Sequence, residues 1–186
     1  GLAQQGHGAD FPLGAEDAGE QAQEVAAGAG QLEAVEWLHL HRAHASRGLA
    51  MDLAASGGHL QVLEWLHRQE GERCSTIAMD LAALNGHLEV VEWLHRNRSE
   101  GCTSQALVNA AVKGHEEVFL FLSERSPHEP SPGIVAMTVA AGQLPILEWL
   151  WLQVPEQLAG RKHDLVEIAE KDSHCHVIRW LHDNLI

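Results

Sequence analysis

Apolar residues recur along this chain at the spacing of an α-helix, in pairs of segments joined by a short polar break. In the clearest pair, Leu88, Val91 and Leu94 form a stripe that other apolar residues widen. A stripe this wide is typical of a helix that packs against a partner helix and against neighbours on both sides. The pattern predicts helices over about 77–84 and 87–96, with a glycine at the break that takes a positive φ and ends the first helix.

The second segment of this pair recurs along the chain at a fixed interval. Its glycine recurs every 28 residues, at Gly30, Gly58, Gly86, Gly114 and Gly142. A more divergent copy of the segment begins at Ser173, after a step of 31 residues. A fixed period of this length indicates a stacked array of repeats. We predict a partly disordered leader over 1–17 and a repeat domain over 18–186. The repeats span about 18–45, 46–73, 74–101, 102–129, 130–160 and 161–186.

Polar residues and prolines set the predicted ends of the helices. Side-chain oxygens that can cap a first helix occur at Ser46, at Ser75 or Thr76, and at Thr103 or Ser104. The proline-rich stretch 126–132 cannot be helical through its prolines, so the first helix of the fifth repeat is expected to be short, at 133–141. Pro145 falls in the first turn of the following helix, where a missing N–H costs nothing.

The third repeat, which reads AALNGHLEVV over 82–91, resembles an ankyrin repeat. That family shares A-A-x-x-G-H-x-E-V-V followed by two apolar residues, and the match recurs across about residues 20–184. The Trp-Leu-His endings are similar to the short, divergent ankyrin arrays abundant in protists such as oomycetes. The resemblance implies an all-α, ankyrin-like solenoid of about six stacked helix-turn-helix repeats. Tetratricopeptide repeats fit less well, because they place Trp in the first helix and have a longer period.

Two departures from the family pattern change the expected loops. The usual period is about 33 residues, and here it is 28. Because the missing residues belong to the β-hairpin finger, we expect short loops with little or no β-hairpin. The family's Thr-Pro-Leu-His tetrapeptide is replaced by residues 49–52 (LAMD) and 77–80 (IAMD), so the hydrogen bonds of that tetrapeptide are not carried over.

The charge balance narrows the classes of partner. The chain has 26 acidic and 12 basic residues, and a net charge of −14. A phosphate-binding surface needs clustered cations, so neither nucleic acid nor an anionic membrane is an expected partner. No apolar run approaches the roughly 18 residues of a transmembrane helix. Three cysteines without a CxxC pair favour a reducing compartment. We expect an intracellular monomer, cytoplasmic or nuclear.

Fourteen histidines raise the question of a metal site. Six of them recur at matching positions of successive repeats, here called columns. The two columns are His39, His67 and His95, and His59, His87 and His115. The favoured interpretation is one structural role for each column. Neighbouring repeats would hold residues of one column about 8–10 Å apart, too far for two rings to bind one ion at about 2 Å each. The weaker alternative is an adventitious metal at His39, His41 and His44.

No set of residues typical of catalysis is found in the sequence. The chain has neither a G-x-S-x-G elbow nor a phosphate-binding glycine loop, and His115-Glu116 lacks the second His of a zinc protease motif. We therefore predict no enzyme activity, no cofactor and no metal. A column of tryptophans is expected to be buried between repeats rather than to stack on a ligand: Trp37, Trp65, Trp93, Trp149 and Trp180.

The predicted function is a non-catalytic protein–protein interaction module. Stacked repeats form an extended concave surface, and the ankyrin resemblance implies that a protein partner, of unknown identity, binds it at the exposed ends of the first helices. Leu84 and Val112 are favoured because they are apolar where the fold does not require burial. The alternative is a structural or targeting segment excised from a larger multidomain protein with its activity elsewhere. The candidate contact residues are Arg47, Gly48, Ser56, Gly57, Ser75, Thr76, Leu84, Asn85, Thr103, Ser104, Val112 and Lys113.

Overall fold

The chain forms α-helices joined by short turns, in a computed structural model that describes residues 15–41, 49–69, 73–125, 130–131, 133–158 and 160–184. No strand occurs within these ranges, and none of their helices is both long and apolar enough to cross a membrane. The helices are α1 (Ala15–Gly28), α2 (Leu32–Leu40), α3 (Leu49–Ser56), α4 (Leu60–His67), α5 (Thr76–Asn85), α6 (Leu88–Asn97), α7 (Ser104–Lys113), α8 (Glu116–Arg125), α9 (Ile134–Ala140), α10 (Leu144–Gln153), α11 (Pro155–Leu158), α12 (Lys162–Lys171) and α13 (Cys175–Asn184).

Helix pairs stack in chain order and confirm the predicted all-helical, ankyrin-like solenoid. The first helices of the pairs are α1, α3, α5, α7, α9 and α12, and the second helices are α2, α4, α6, α8, α10 and α13. Each first helix packs against its own second helix and against the first helices of the neighbouring repeats. The connections are short, and the described residues contain no β-hairpin.

Pairs of alanines in the first helices determine how the repeats pack. Ala54 and Ala55, and their copies at 82–83 and 110–111, are fully buried. Small side chains let neighbouring first helices approach closely, whereas neighbouring second helices touch at fewer places. The first helices therefore form the more closely packed layer of the array.

Most predicted helix ends agree with the structure to within a residue or two, the usual scatter of helix termini. The predicted caps are confirmed at Ser75, whose Oγ accepts a hydrogen bond from the N–H of Ile77 at 3.1 Å, and at Thr103, whose Oγ1 accepts one from the N–H of Gln105 at 3.1 Å. The short first helix of the fifth repeat is confirmed at Ile134–Ala140.

Two boundaries differ from the prediction. Helix α1 begins at Ala15, inside the predicted leader. The start was predicted where the periodic apolar pattern begins, and the helix extends upstream of that pattern. Helix α11 was not predicted, because four residues are too few to show periodicity. The predicted leader up to residue 14, the cap at Ser46, and most of the proline-rich stretch (126–129 and 132) lie outside the described residues.

Candidate functional site

Each junction between repeats begins with a glycine break covered by a side chain of the next repeat. The Nε2–H groups of His59, His87 and His115 each donate a hydrogen bond to a carbonyl oxygen 31 residues earlier, at 3.1 Å. A carbonyl can only accept, which assigns the donor. A Cβ atom placed on Gly86 would lie 2.5 Å from Nδ1 of His115. The glycine is therefore needed for this close approach as well as for its φ of 77°.

The other histidine column also joins neighbouring repeats. The rings of His39 and His67 meet those of Trp65 and Trp93 edge-on, with centroids 5.2 and 5.1 Å apart. His95 meets Phe121 in the same way at 5.6 Å. The prediction of one structural role for each histidine column is thus confirmed. Among the described residues, no group of three or more His, Cys, Asp or Glu side chains is placed to hold a metal ion, and His44 lies outside those residues.

The tryptophan column differs from its prediction in burial. Trp65 and Trp93 do lie between repeats, but their rings are only half-buried, because the core positions of the second helices are occupied by smaller aliphatic residues such as Leu94. Trp37, in the first repeat, is 59% exposed and stacks on His41 with ring centroids 4.3 Å apart. The expectation that every ring of the column is buried was wrong.

An aspartate clamp between repeats was missed by the sequence analysis. Buried Asp52 accepts two hydrogen bonds from Ser75 of the next repeat, from its N–H at 2.9 Å and from its hydroxyl at 2.5 Å. Asp80 accepts the same pair from Thr103, at 2.9 and 2.6 Å. The signal was visible as an Asp followed 23 residues later by Ser or Thr, in the segment that replaces the family tetrapeptide.

Cys74 lies beside this clamp, where its surroundings disfavour the thiolate form. Burial raises the pKa of its thiol to about 12, and the negative charge of Asp52 adds to the effect. Since the thiolate is the reactive form, this cysteine is not a nucleophile at neutral pH. Nearby, Arg98 donates two hydrogen bonds to Glu100, at 3.2 and 2.5 Å, which lower the pKa of that carboxyl.

The outward-facing residues of the first helices form a surface here called the first-helix face. Its positions are spaced i, i+4 and i+7 along the first helices of the first five repeats, so they point in one direction. Four of its apolar side chains are conspicuously exposed: Val25 at 70%, Leu49 at 46%, Ile77 at 49% and Met137 at 48%. The face comprises Gln21, Val25, Gly28, Leu49, Leu53, Ser56, Ile77, Leu81, Leu84, Gln105, Asn109, Val112, Gly133, Met137 and Ala140.

The predicted contact residues fall at both ends of the first helices. Ser56, Leu84 and Val112 belong to the first-helix face and are half-buried. Gly57, Asn85 and Lys113 follow them at the helix ends, whereas Ser75, Thr76, Thr103 and Ser104 lie at the opposite ends, where the helices start. Arg47 and Gly48 are outside the described residues.

Several of these predicted residues make contacts within the array. Ser75 and Thr103 are bound to the aspartate clamps, as described above. Asn85 donates hydrogen bonds to the carbonyl and the hydroxyl oxygen of Ser56, at 2.8 and 3.2 Å. Prediction from the sequence missed the more exposed apolar residues Leu49, Ile77 and Met137.

The first-helix face is uncharged, although the chain as a whole is strongly acidic. No position of the first-helix face, which covers the first five repeats, carries a charged residue, whereas α12 of the sixth repeat exposes Asp164 and Lys171. The exposed glutamates Glu33, Glu89 and Glu117 are on second helices, and Arg96 is paired with Glu92 on its own helix at 2.6 Å. In the first five repeats the first-helix face is therefore uncharged, while the second helices expose both glutamates and apolar residues such as Leu152.

Two shallow grooves adjoin each other at the starts of α6 and α8, with volumes of 290 and 360 Å³. They share Gly86 and Glu117. Their histidines, His87 and His115, already donate to the preceding repeats. The grooves bring together carboxylates and engaged histidines, without a nucleophile held beside a base.

Comparison with known families agrees with this architecture. A family model described as ankyrin repeats (three copies) matches residues 50–133. The matched segment belongs to the ankyrin repeat family, as its resemblance implied. Ankyrin repeats are in general protein–protein interaction modules and are typically non-catalytic. No curated protein matches the chain.

Proposed function

We propose that this chain is a non-catalytic interaction module that binds a protein partner on its first-helix face. The observation that carries the proposal is the exposure of large aliphatic side chains at matching positions of successive repeats, Leu49 and Ile77 above all. Packing of the repeats gives no reason for apolar side chains at these exposed positions. A contiguous exposed apolar surface of this kind is typical of an interaction site.

The residues of the first-helix face indicate which kind of partner segment would bind there. In the second and third repeats it presents Leu49, Leu53, Ile77, Leu81 and Leu84, without a charge among them. A partner segment with its own aliphatic stripe would bury these residues. A highly charged segment would lose hydration there without gaining an ion pair.

A matched pair of substitutions tests this site. The variant Ile77→Asp places a charge in the proposed interface, and Leu152→Asp places one at a residue that is 74% exposed on a second helix. Partners captured from lysate by the wild-type chain are identified, and their affinity for each variant is measured. We expect Ile77→Asp to weaken binding at least about tenfold, since burial of one aliphatic side chain contributes about 1.5–3 kcal/mol.

The control defines what would contradict the proposal. Both substituted residues are exposed, so the helical circular dichroism and the melting temperature of both variants should stay close to wild type. An equal loss of binding in Leu152→Asp, or unchanged binding in Ile77→Asp, would exclude the first-helix face as the contact surface.

The cellular location and the possible parent protein are part of the same proposal. Three free cysteines, Cys74, Cys102 and Cys175, support an intracellular location. A role as a structural or targeting segment of a larger protein remains the alternative. It is favoured if neither variant changes any interaction.

A further inference from the structure

One junction in the array lacks the histidine contact that joins the others. Gln143 occupies the position held by His59, His87 and His115 in earlier repeats. Its amide lies against Gly114, where a Cβ atom would collide with it. Within the described part of the chain, however, Gln143 makes no hydrogen bond to the preceding repeat, whereas the three histidines each make one at 3.1 Å.

The aspartate clamp is missing at the same junction. Asp52 binds the third repeat and Asp80 binds the fourth. The corresponding residue of the fourth repeat is Val108, whose side chain has no oxygen to accept a hydrogen bond from the fifth. The junction therefore lacks both of the directional side-chain contacts that recur earlier in the array.

The helices at this junction also pack over a shorter stretch. Helix α9 has seven residues, against ten in α5 and α7, and α9 packs on α7 less extensively than α5 does. The contact that remains is apolar, with Phe119 meeting Trp149 edge-on at 5.1 Å. Apolar packing supplies attraction but little directional constraint.

The two repeats beyond the junction are joined again by histidine hydrogen bonds. His174 donates to the carbonyl of Ala140 and His176 donates to that of Gly142, both at 2.9 Å. The directional contacts that Gln143 lacks thus reappear one junction later.

We propose that the array has a seam between the fourth and fifth repeats, where residues 133–184 open or unfold together, ahead of residues 49–125. In a repeat array each repeat is stabilised only by its neighbours, so the weakest interface separates first. Opening at the seam would separate Met137 on α9 from the part of the first-helix face in earlier repeats, such as Leu81 on α5. It would change the number of repeats that a partner can contact at once. The seam is independent of whether the first-helix face binds a partner.

Hydrogen exchange measured by mass spectrometry at increasing, sub-denaturing urea tests the seam in the full chain. In the wild type, peptides from 133–184 should lose protection at lower urea than peptides from 49–125. The variant Gln143→His restores a donor facing the preceding repeat, and should slow exchange of 133–184 about three- to tenfold, the effect of one net hydrogen bond. The matched change His87→Gln removes that bond from a regular junction and should speed exchange around it by a similar factor.

Two results would overturn the seam. One is a single transition in which all repeats of the wild type lose protection together. The other is unchanged exchange of 133–184 in Gln143→His while His87→Gln shows its full effect. If Gln143→His folds poorly, the order of exchange in the wild type decides alone.

Discussion

At the scale of single residues, a glycine in this array has two separable roles. Gly86 and Gly101 both have positive φ, at 77° and 70°. Only Gly86 also lies against a side chain of the next repeat, His115, whereas a Cβ atom on Gly101 would meet nothing within 4 Å. The sequence period identified Gly86 as a helix end, but the close approach of the histidine needs the folded neighbour.

Alanine substitutions at these two glycines separate the roles. Gly101→Ala should cost about 1–2 kcal/mol of unfolding free energy, the strain of a left-handed alanine. Gly86→Ala should cost about 1–3 kcal/mol more, because His115 must also move. Urea melts followed by tryptophan fluorescence measure both. Equal losses would mean that the histidine adapts without cost.

The raised pKa of Cys74, about 12, predicts how its reactivity depends on folding and pH. The folded chain keeps this thiol protonated in the range, from about 8.5 upward, in which an unfolded cysteine ionises. The folded state then binds more protons than the unfolded one, so this group lowers stability as pH rises toward 12. At neutral pH it has no such effect.

Iodoacetamide labelling at pH 8 checks the state of the thiol. Cys175, which is exposed, should be modified much faster than Cys74 in the folded chain, and the two should react at similar rates in concentrated urea. Comparable rates in the native protein would show that the Cys74 thiolate is accessible.

At the scale of helices, apolar spacing predicted where helices lie better than which side faces water. The stretch Ile77–Leu84 is almost entirely apolar, so its periodicity does not distinguish the buried Ala82 and Ala83 from the exposed Ile77. That distinction arises only when neighbouring first helices close around the alanines. For the same reason, Leu84 and Val112 were favoured as contacts although they are half-buried.

The aspartate clamp ties the start of one first helix to the preceding one, and its removal should be measurable. Asp52→Ala leaves the N–H of partly buried Ser75 without its acceptor and removes a buried side chain, and should cost about 1–3 kcal/mol. Asp80→Ala should cost less, because Asp80 is half-buried and water can replace it. Urea melts of the two variants give the comparison. No loss in Asp52→Ala would show that the cap of α5 holds without the clamp.

At the scale of the whole molecule, a strongly acidic chain carries an uncharged first-helix face over its first five repeats. The net charge of −14 predicts that the chain repels polyanions and attracts basic proteins over long range. The exposed glutamates on the second helices lie away from the first-helix face, so charge would govern the rate of encounter and apolar contacts the lifetime of a complex. The totals of the composition could not reveal that the first-helix face is uncharged, because this depends on which residues of each helix face outward.

The contact between histidine and glycine also makes the repeats interchangeable. Each histidine needs only a glycine break and a free carbonyl in the preceding unit, and every regular unit of 28 residues supplies both. Copying or deleting one whole unit therefore recreates the same contact at the new boundary, whereas a change of a few residues would not. Array length can vary in whole steps during evolution, and each added step would extend the first-helix face without any new kind of junction.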